Sequence, residues 1–478
     1  MPNLRLPDDP SADQIRERLD RMKHAQFEAG PPSPALRKDR ISRAIDLLRT
    51  HQEAIIDVVS SDFGTRSRQE TLLADILASV EGLRYNLNHI DEWMRPQPQL
   101  EPFPGTQAWV EYQPLGVTGI ISPWNFPVVL AFGPLANCFA AGNRAMLKPS
   151  ELTPATSQLL ADLIDEYFDQ DELTTVLGGP ATGSAFSAQP FDHLVFTGST
   201  QVAHHVMRSA SENLVPVTLE LGGKSPVLVC ADADLREMAE RILTVKTFNA
   251  GQICLSPDYV LIQEERVEDF VEQAKAAVAA MYTSLRDNDD YTSMLNAGGF
   301  ARQHALIEDA RIKGATLVSL NPLNEDLSDP AKRKVAPTLV LGATDEMRVA
   351  REEIFGPLLP IVTYGTLEDA IAYINARPRP LALYLFSNNL DVRSEVAART
   401  TSGALIVNDA MTHVFLDTLP FGGVGASGMG HYHGEYGFRA LSHAKPIFVQ
   451  SEGGESNLLM RAPYSEGAEQ VIAGLITA

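Results

Sequence analysis

Apolar positions between residues 11 and 94 recur with helical spacing, Ile41, Ala44, Ile45 and Leu48 falling at i, i+3, i+4 and i+7. This predicts a helical N-terminal region, punctuated where Gly30 to Pro34 interrupt the pattern. A proline-rich link from Pro96 to Pro104 leads into TQAWVEYQPLG, residues 106–116, whose alternation predicts an exposed strand pair outside any buried parallel sheet. From Gly116 to Leu221 short apolar runs alternate with amphipathic stretches. GVTGIIS, RAMLK, TTVLG, HLVFT and VPVTLEL read as strands; FPVVLAFGPLANCFAA, TPATSQLLADLIDEYF, ATGSAFSAQ and STQVAHHVMRSA read as the helices between them. Thr153 is placed to cap the second of these helices, with Pro154 at its first turn. Such alternation predicts a parallel sheet covered on both faces, which binds ligands at the carboxyl ends of its strands, a nucleotide first among them. A second α/β pattern runs from Lys224 to about Val407, with strands SPVLVC, YVLIQ, PTLVL and LALYLFS and the helix RVEDFVEQAKAAVAAM. After about Asn408 the chain turns Gly-rich and then polar, and no internal repeat occurs.

At 478 residues the chain is long enough for two or three domains, and its formal charge of -22 excludes nucleic acid and anionic membrane as partners. Cys138, Cys230 and Cys254 are odd in number and lack CxxC spacing, which indicates neither a disulfide framework nor a zinc site and fits a reducing compartment. The N-terminal MPNLRLPDDPSADQIRERLD has no apolar core of a signal peptide, and no apolar run is long enough to span a bilayer, so a cytoplasmic location is expected.

Several short motifs fall at strand-to-helix boundaries. Cys254 lies in FNAGQICLSPDY, where turn-forming neighbours would present it to a cleft; it is either a nucleophile or a buried apolar filler. In SPWNFP, Ser122 to Pro127, prolines bracket Asn125, whose amide is either a donor to a developing oxyanion or a turn residue capping the next helix. HLVFTGSTQVAHHVM offers a glycine turn at Gly198 and a helix start suited to a pyrophosphate, although GxGxxG is absent. KPSE, Lys148 to Glu151, ends a strand with a cation and an anion that would hold ribose hydroxyls or form a solvated edge. LELGGKSP places Glu220 among apolar neighbours before two glycines, the setting of a general base with a raised pKa, while Thr218 excludes a phosphate loop. EEIFGP, Glu352 to Pro357, offers another carboxylate before a turn. HYHGEYGF, His431 to Phe438, lacks further ligands at metal spacing and reads as a surface or interface cluster, so no metal is expected.

In that order PWNFP, KPSE, FTGST, LELGGKSP, FNAGQIC and EEIFGP resemble the NAD(P)-dependent aldehyde dehydrogenase superfamily over nearly the whole chain. LPFGGVGASGMGHYHGEYGFRALSH, RPLALYLFS and GQICLSPDY look like its class 3 branch, and within it the bacterial coniferyl aldehyde dehydrogenases. The resemblance implies an α/β fold, with a Rossmann-like cofactor domain at residues 1–95 and 114–223 and an α/β catalytic domain at 224–409. It further implies a small β oligomerisation element at 96–113 and 410–457, built on a hairpin near Gln107 to Tyr112, and a C-terminal tail at 458–478. Cys254 would be the nucleophile, Glu220 the base that activates water, and Asn125 an oxyanion donor beside the Cys254 N–H. Ser122, Trp124, Lys148, Ser150, Glu151, Gly198, Ser199, Leu221, Gly222, Glu353 and Phe355 would bind the cofactor. Lys148 and Glu151 would meet the adenosine ribose, Gly198 and Ser199 the pyrophosphate, and Glu353 and Phe355 the nicotinamide ribose and ring. A carboxylate repels a 2′-phosphate, so Glu151 favours NAD, with NADP possible.

The expected reaction is oxidation of a small-molecule aldehyde, coniferyl aldehyde or another aromatic one, to its carboxylic acid through a cysteine thiohemiacetal and thioester. Aliphatic aldehyde oxidation, a CoA-acylating dehydrogenase and a crystallin-like binding protein are the alternatives; Glu220 counts against the second, and Cys254 with Asn125 against the third. A homodimer or dimer of dimers is expected. Ala203 stands where the family often has the last glycine of GSTxxG, and its methyl is expected to crowd the helix or the pyrophosphate.

Overall fold

The computed structural model describes residues 9–99, 103, 105–454, 456–464 and 466–477; the start of the N-terminal stretch, part of the proline-rich link and the last residue of the tail lie outside them. Two twisted α/β sheets and one small antiparallel sheet organise these residues. In the first, the order is Gly428–Met429, Val217–Leu221, His193–Gly198, Val117–Ile121, Arg144–Lys148 and Leu173–Thr175, parallel except for the Gly428–Met429 edge. The second runs Thr316–Ser319, Thr338–Leu341, Leu358–Thr363, Pro257–Ile262, Ser225–Val229, Ala382–Phe386 and Ala404–Val407, with one antiparallel edge. Parallel strands are covered on both faces, and Val227, Leu228, Val260, Leu261, Leu383 and Leu385 are accordingly all buried, without alternation.

The N-terminal periodicity becomes helices Ala12–Ala29, Pro34–Thr50 and Gln52–Phe63, then a bent run of Arg68–Thr71, one π-helical turn Leu72–Leu77, and Ala78–Trp93. Ile41, Ala44, Leu48, Ile55, Val59, Leu83 and Ile90 pack with the helix Val129–Ala141, apolar except for Asn137, in one core.

Four expectations differ from the structure. TQAWVEYQPLG is one strand, Gln107–Pro114, because no turn residue interrupts the alternation before Pro114. Its antiparallel partner, Ser442–Val449, arrives from the other end of the chain, and Gln97–Pro98 adds a short third strand. Thr153 occupies the N-cap of Pro154–Tyr167 but makes no capping hydrogen bond; Asp62 caps instead, accepting from the N–H groups of Ala155 (3.1 Å) and Thr156 (2.8 Å) and from the Thr156 hydroxyl (2.7 Å). HYHGEYGF, expected as a surface or interface cluster, is only partly at the surface: His431 is exposed, but Tyr432 is buried and His433 faces the cavity described below. The Ala203 methyl does not push the helix from the sheet: it packs there with Phe196 and Val206, and the Ala203 N–H keeps its 3.0 Å bond to the Ser199 carbonyl.

Candidate active site

Four of the motifs fall on one edge of the first sheet. Ser122 to Asn125 follow Val117–Ile121, Lys148 to Glu151 close Arg144–Lys148, Gly198 and Ser199 end His193–Gly198, and Leu221 and Gly222 end Val217–Leu221. All four are carboxyl ends of neighbouring parallel strands, where the chain turns to the next element and leaves backbone N–H groups facing outward. Lys148 donates to Glu151 at 3.1 Å. The Ser150 hydroxyl accepts from the Leu152 N–H at 3.2 Å, and Ser199 caps the helix Thr200–Ser211 by accepting from Val202. The buried Ser122 hydroxyl has no partner among the described residues.

Between this sheet and the second lies Cys254, at the turn before Pro257–Ile262. The approach is unusual, since Asn249, Ala250 and Gly251 have φ of 49°, 52° and 73°, three successive left-handed residues. Only glycine fits at 251, because a Cβ there would run into the Gly356 carbonyl. Two non-glycine residues in this region are costly and persist only where their surroundings dictate them. Glu70 accepts from the Asn249 N–H at 3.0 Å; Gln252 donates to the Asn249 and Ser293 carbonyls and accepts from Leu295.

Asn125 is held by the same network. Its amide donates to the Gln252 carbonyl at 3.2 Å, while its own carbonyl accepts from Arg66 at 2.8 Å and from the Asn249 amide at 3.1 Å. Arg66 lies 4.9 Å from the Phe63 and Phe126 ring centres and pairs with Asp75 at 2.9 Å, both side chains fully buried. The other Asp75 oxygen accepts from Val128 and Val129 at the start of helix Val129–Ala141. Removing one member of such a pair strands the other charge, so Asp75→Ala is expected to cost about 3–5 kcal/mol, read as a lower urea midpoint.

Glu220 is buried, and neither carboxyl oxygen has a partner among the described residues. Burial holds its pKa well above the usual carboxylate range. Glu353, also buried, is pushed up to about 7 by burial and by Asp258, and one of its oxygens is unpartnered. Burial raises the Cys254 thiol, and Glu220 and Glu353 raise it further, so the resting thiol is neutral and both carboxyls act on it. Gly222 is needed here, since a Cβ would meet the Glu353 carboxylate. Phe355, at φ 48°, sets its ring edge-on to Trp124 at 5.4 Å. The turn around it is pinned by Arg302, which donates to the Glu353 and Ile354 carbonyls at 2.6 Å, and by Asp258, which accepts from the Ile354 N–H.

Cys254 opens onto a cavity of about 320 Å³. Its walls are apolar: Leu73, Ala74 and Leu77 from the π-helical turn, Val129, Leu130, and the stacked rings of Phe126 and Phe248. Met411, Val414, Phe415, Phe421 and Tyr432 close it from the C-terminal segment. The sequence-predicted residues thus converge on one thiol and one strand edge. What sequence reasoning missed is the support, Arg66, Glu70, Asp75, Asn249 and Gln252, and the C-terminal wall. Asn249 and Gln252 stood inside the quoted cysteine motif, whereas Arg66 and Asp75 gave no local signal.

A dinucleotide fits the strand edge on the structure's own terms. The unpartnered Ser122 hydroxyl and Glu353 oxygen are buried donors and acceptors without an internal match, and the Lys148–Glu151 pair lies along the same edge. Among the described residues no group of His, Cys, Asp and Glu is arranged to hold a metal ion.

Residues 7–447 match the aldehyde dehydrogenase family. A coniferyl aldehyde dehydrogenase of Pseudomonas sp. strain HR199 is 59% identical over 98% of this chain and 97% of that protein. Among solved structures, the substrate-bound AldH of Staphylococcus aureus superposes with a TM-score of 0.91 at 33% identity, covering 97% of this chain and 99% of that one. An indole-3-acetaldehyde dehydrogenase of P. syringae in complex with NAD+ gives 0.83 at 27% identity, covering 92% and 90%.

Proposed function

The chain belongs to the aldehyde dehydrogenase family, and from that premise we propose that it oxidises an aromatic aldehyde, coniferyl aldehyde or a close analogue, to the carboxylic acid. The carrying observation is the aromatic-walled cavity that ends on Cys254. A flat conjugated aldehyde buries its ring against such walls and leaves its carbonyl at the sulfur.

Cys254, as the thiolate formed when its proton passes to water, attacks the carbonyl carbon to give a thiohemiacetal whose oxyanion accepts hydrogen bonds from the Asn125 amide and the Cys254 N–H. Asn125 serves because Gln252 and Arg66 fix it before substrate arrives. Bound NAD(P)+ supplies the hydride acceptor. Ser122, Trp124, Lys148, Ser150, Glu151, Gly198, Ser199, Leu221 and Gly222 would hold it along the strand edge, with Glu353 and Phe355 at its reactive end. Once the substrate carbon has lost its hydride, the acyl group remains on Cys254 as a thioester. Glu220, when ionised, takes a proton from water, which releases the acid and frees the thiol.

Glu151 points the preference to NAD, because its carboxylate accepts from a ribose hydroxyl and repels a phosphate in the same place. The exposed edge of Ser442–Val449 supports a homo-oligomer formed by strand pairing, dimer or dimer of dimers. Three free cysteines fit a cytoplasmic location, and no helix among the described residues is long and apolar enough to cross a membrane. The test is NADH formation with a panel of aromatic and aliphatic aldehydes, each with NAD and NADP. Coniferyl aldehyde with NAD is expected to give the highest kcat/KM; hexanal exceeding it tenfold would remove the aromatic assignment.

A further inference from the structure

The cavity has a second polar end. Asp417 lines it and makes no hydrogen bond or ion pair among the described residues. Burial, and then the Glu81 carboxylate, raise its pKa to about 6, and a Cβ at Gly82 would sit 3.7 Å from one of its oxygens. Cys254 enters the same cavity from another element, two residues after Gln252, whose carbonyl holds the Asn125 amide, so the two groups line one space from different walls. His433 lines the cavity beside Asp417: a Cβ at the adjoining Gly434 would collide with the Asp417 carbonyl. One His433 ring nitrogen is buried without a partner among the described residues. The residue is held at φ 83° by its N–H bond to Asn137 (3.2 Å) and by stacking on Phe421 at 5.1 Å. Burial, and then His413, lower its pKa to about 4, so the ring is neutral.

Asp417 is half-buried, and its carboxylate is open to the cavity without a donor among the described residues, so a donor that enters can hydrogen-bond to it. We propose that Asp417, with His433 beside it, forms a hydroxyl-binding subsite that accepts the phenolic O–H of a 4-hydroxylated aromatic aldehyde whose carbonyl lies at Cys254. This rests on the aromatic aldehyde reading and sharpens it. The subsite selects for the hydroxyl rather than for the ring, since the apolar walls hold any ring equally. In the tautomer that carries its proton on the unpartnered nitrogen, neutral His433 donates that N–H to an oxygen on the adjacent ring carbon.

4-Hydroxycinnamaldehyde and cinnamaldehyde differ only in that hydroxyl. A hydrogen bond to a charged acceptor at a half-buried site is worth about 10- to 100-fold. The wild-type enzyme is therefore expected to favour the hydroxylated substrate by that factor in kcat/KM, mainly through KM. In Asp417→Ala the ratio falls to within about threefold, with Asp417→Asn between the two. Equal kcat/KM for the two aldehydes in the wild type overturns the subsite while leaving aldehyde oxidation intact. So does a parallel loss on both in the variants, which would make Asp417 a brace for the wall. Binding of both aldehydes to Cys254→Ala, followed by calorimetry, gives the same comparison without turnover. If only aliphatic aldehydes bind or react, the aromatic reading fails and takes the subsite with it.

Discussion

Cys254→Ala is expected to lose aldehyde oxidation by at least roughly 10⁴-fold, because a nucleophile's removal leaves only binding and orientation to act on the carbonyl. The side chain is small and sits in a turn, so folding is little affected, and the strand edge that would hold NAD keeps its contacts. Cofactor titration by fluorescence should therefore match wild type while NADH production vanishes. Retention of most activity would mean another group attacks the substrate, and Cys138 and Cys230 offer no substitute, both being buried away from the cavity. Mass spectrometry adds a direct check: wild type with aldehyde and cofactor carries an acyl mass on the peptide containing Cys254.

Glu220→Gln is expected to separate the two halves of the reaction. Acylation proceeds, giving one NADH per active site in a burst, and hydrolysis slows by about 10²- to 10⁴-fold, the usual contribution of a positioned base. An unchanged steady-state rate would remove Glu220 from the assignment. The same substitution has an opposite effect on stability. Burial keeps the wild-type carboxyl protonated well above its ordinary value of 4.5. The unfolded chain releases that proton as pH rises past 4.5, whereas the folded protein holds it, so folding stability is fully present below that pH and is lost as pH climbs through the folded-state value. A glutamine carries no such penalty. The variant's Tm should exceed that of wild type at pH 8 and converge with it at pH 4, which separates lost chemistry from lost structure.

Much of this site was legible in the chain because its chemistry sits on short segments. A parallel strand must end in a turn, and the turn must carry glycine, serine or proline to suit its backbone, so Ser122, Lys148, Gly198 and Gly222 announce themselves locally. The order of strands and helices from Gly116 to Leu221 followed from the same rhythm. What the rhythm did not reveal depends on contacts between distant segments. Asp62 replaces Thr153 as a helix cap from 94 residues away in the chain. Arg66, in the turn before Arg68–Thr71, and Asp75, in the π-helical turn, carry no local signal of burial, yet both side chains are fully buried. The HYHGEYGF cluster looked like surface because polar residues usually are, and only the fold shows that Tyr432 and His433 turn inward. The strand Gln107–Pro114 could not be assigned a partner that begins more than three hundred residues later.

The Gly428–Met429 strand has a consequence for how the protein is made. It pairs beside Glu220 at the edge of a sheet whose other strands were all synthesised long before it. A nascent chain emerging from the ribosome must hold that edge open while the whole second sheet is translated, and the residue next to the reactive sulfur stays wet until the seam closes. A chain cut short by a premature stop before Gly428 would keep both α/β halves and every residue assigned to catalysis or cofactor binding, yet lose Tyr432 and His433 from the cavity wall and present an unfinished sheet edge, a template for aggregation rather than an enzyme.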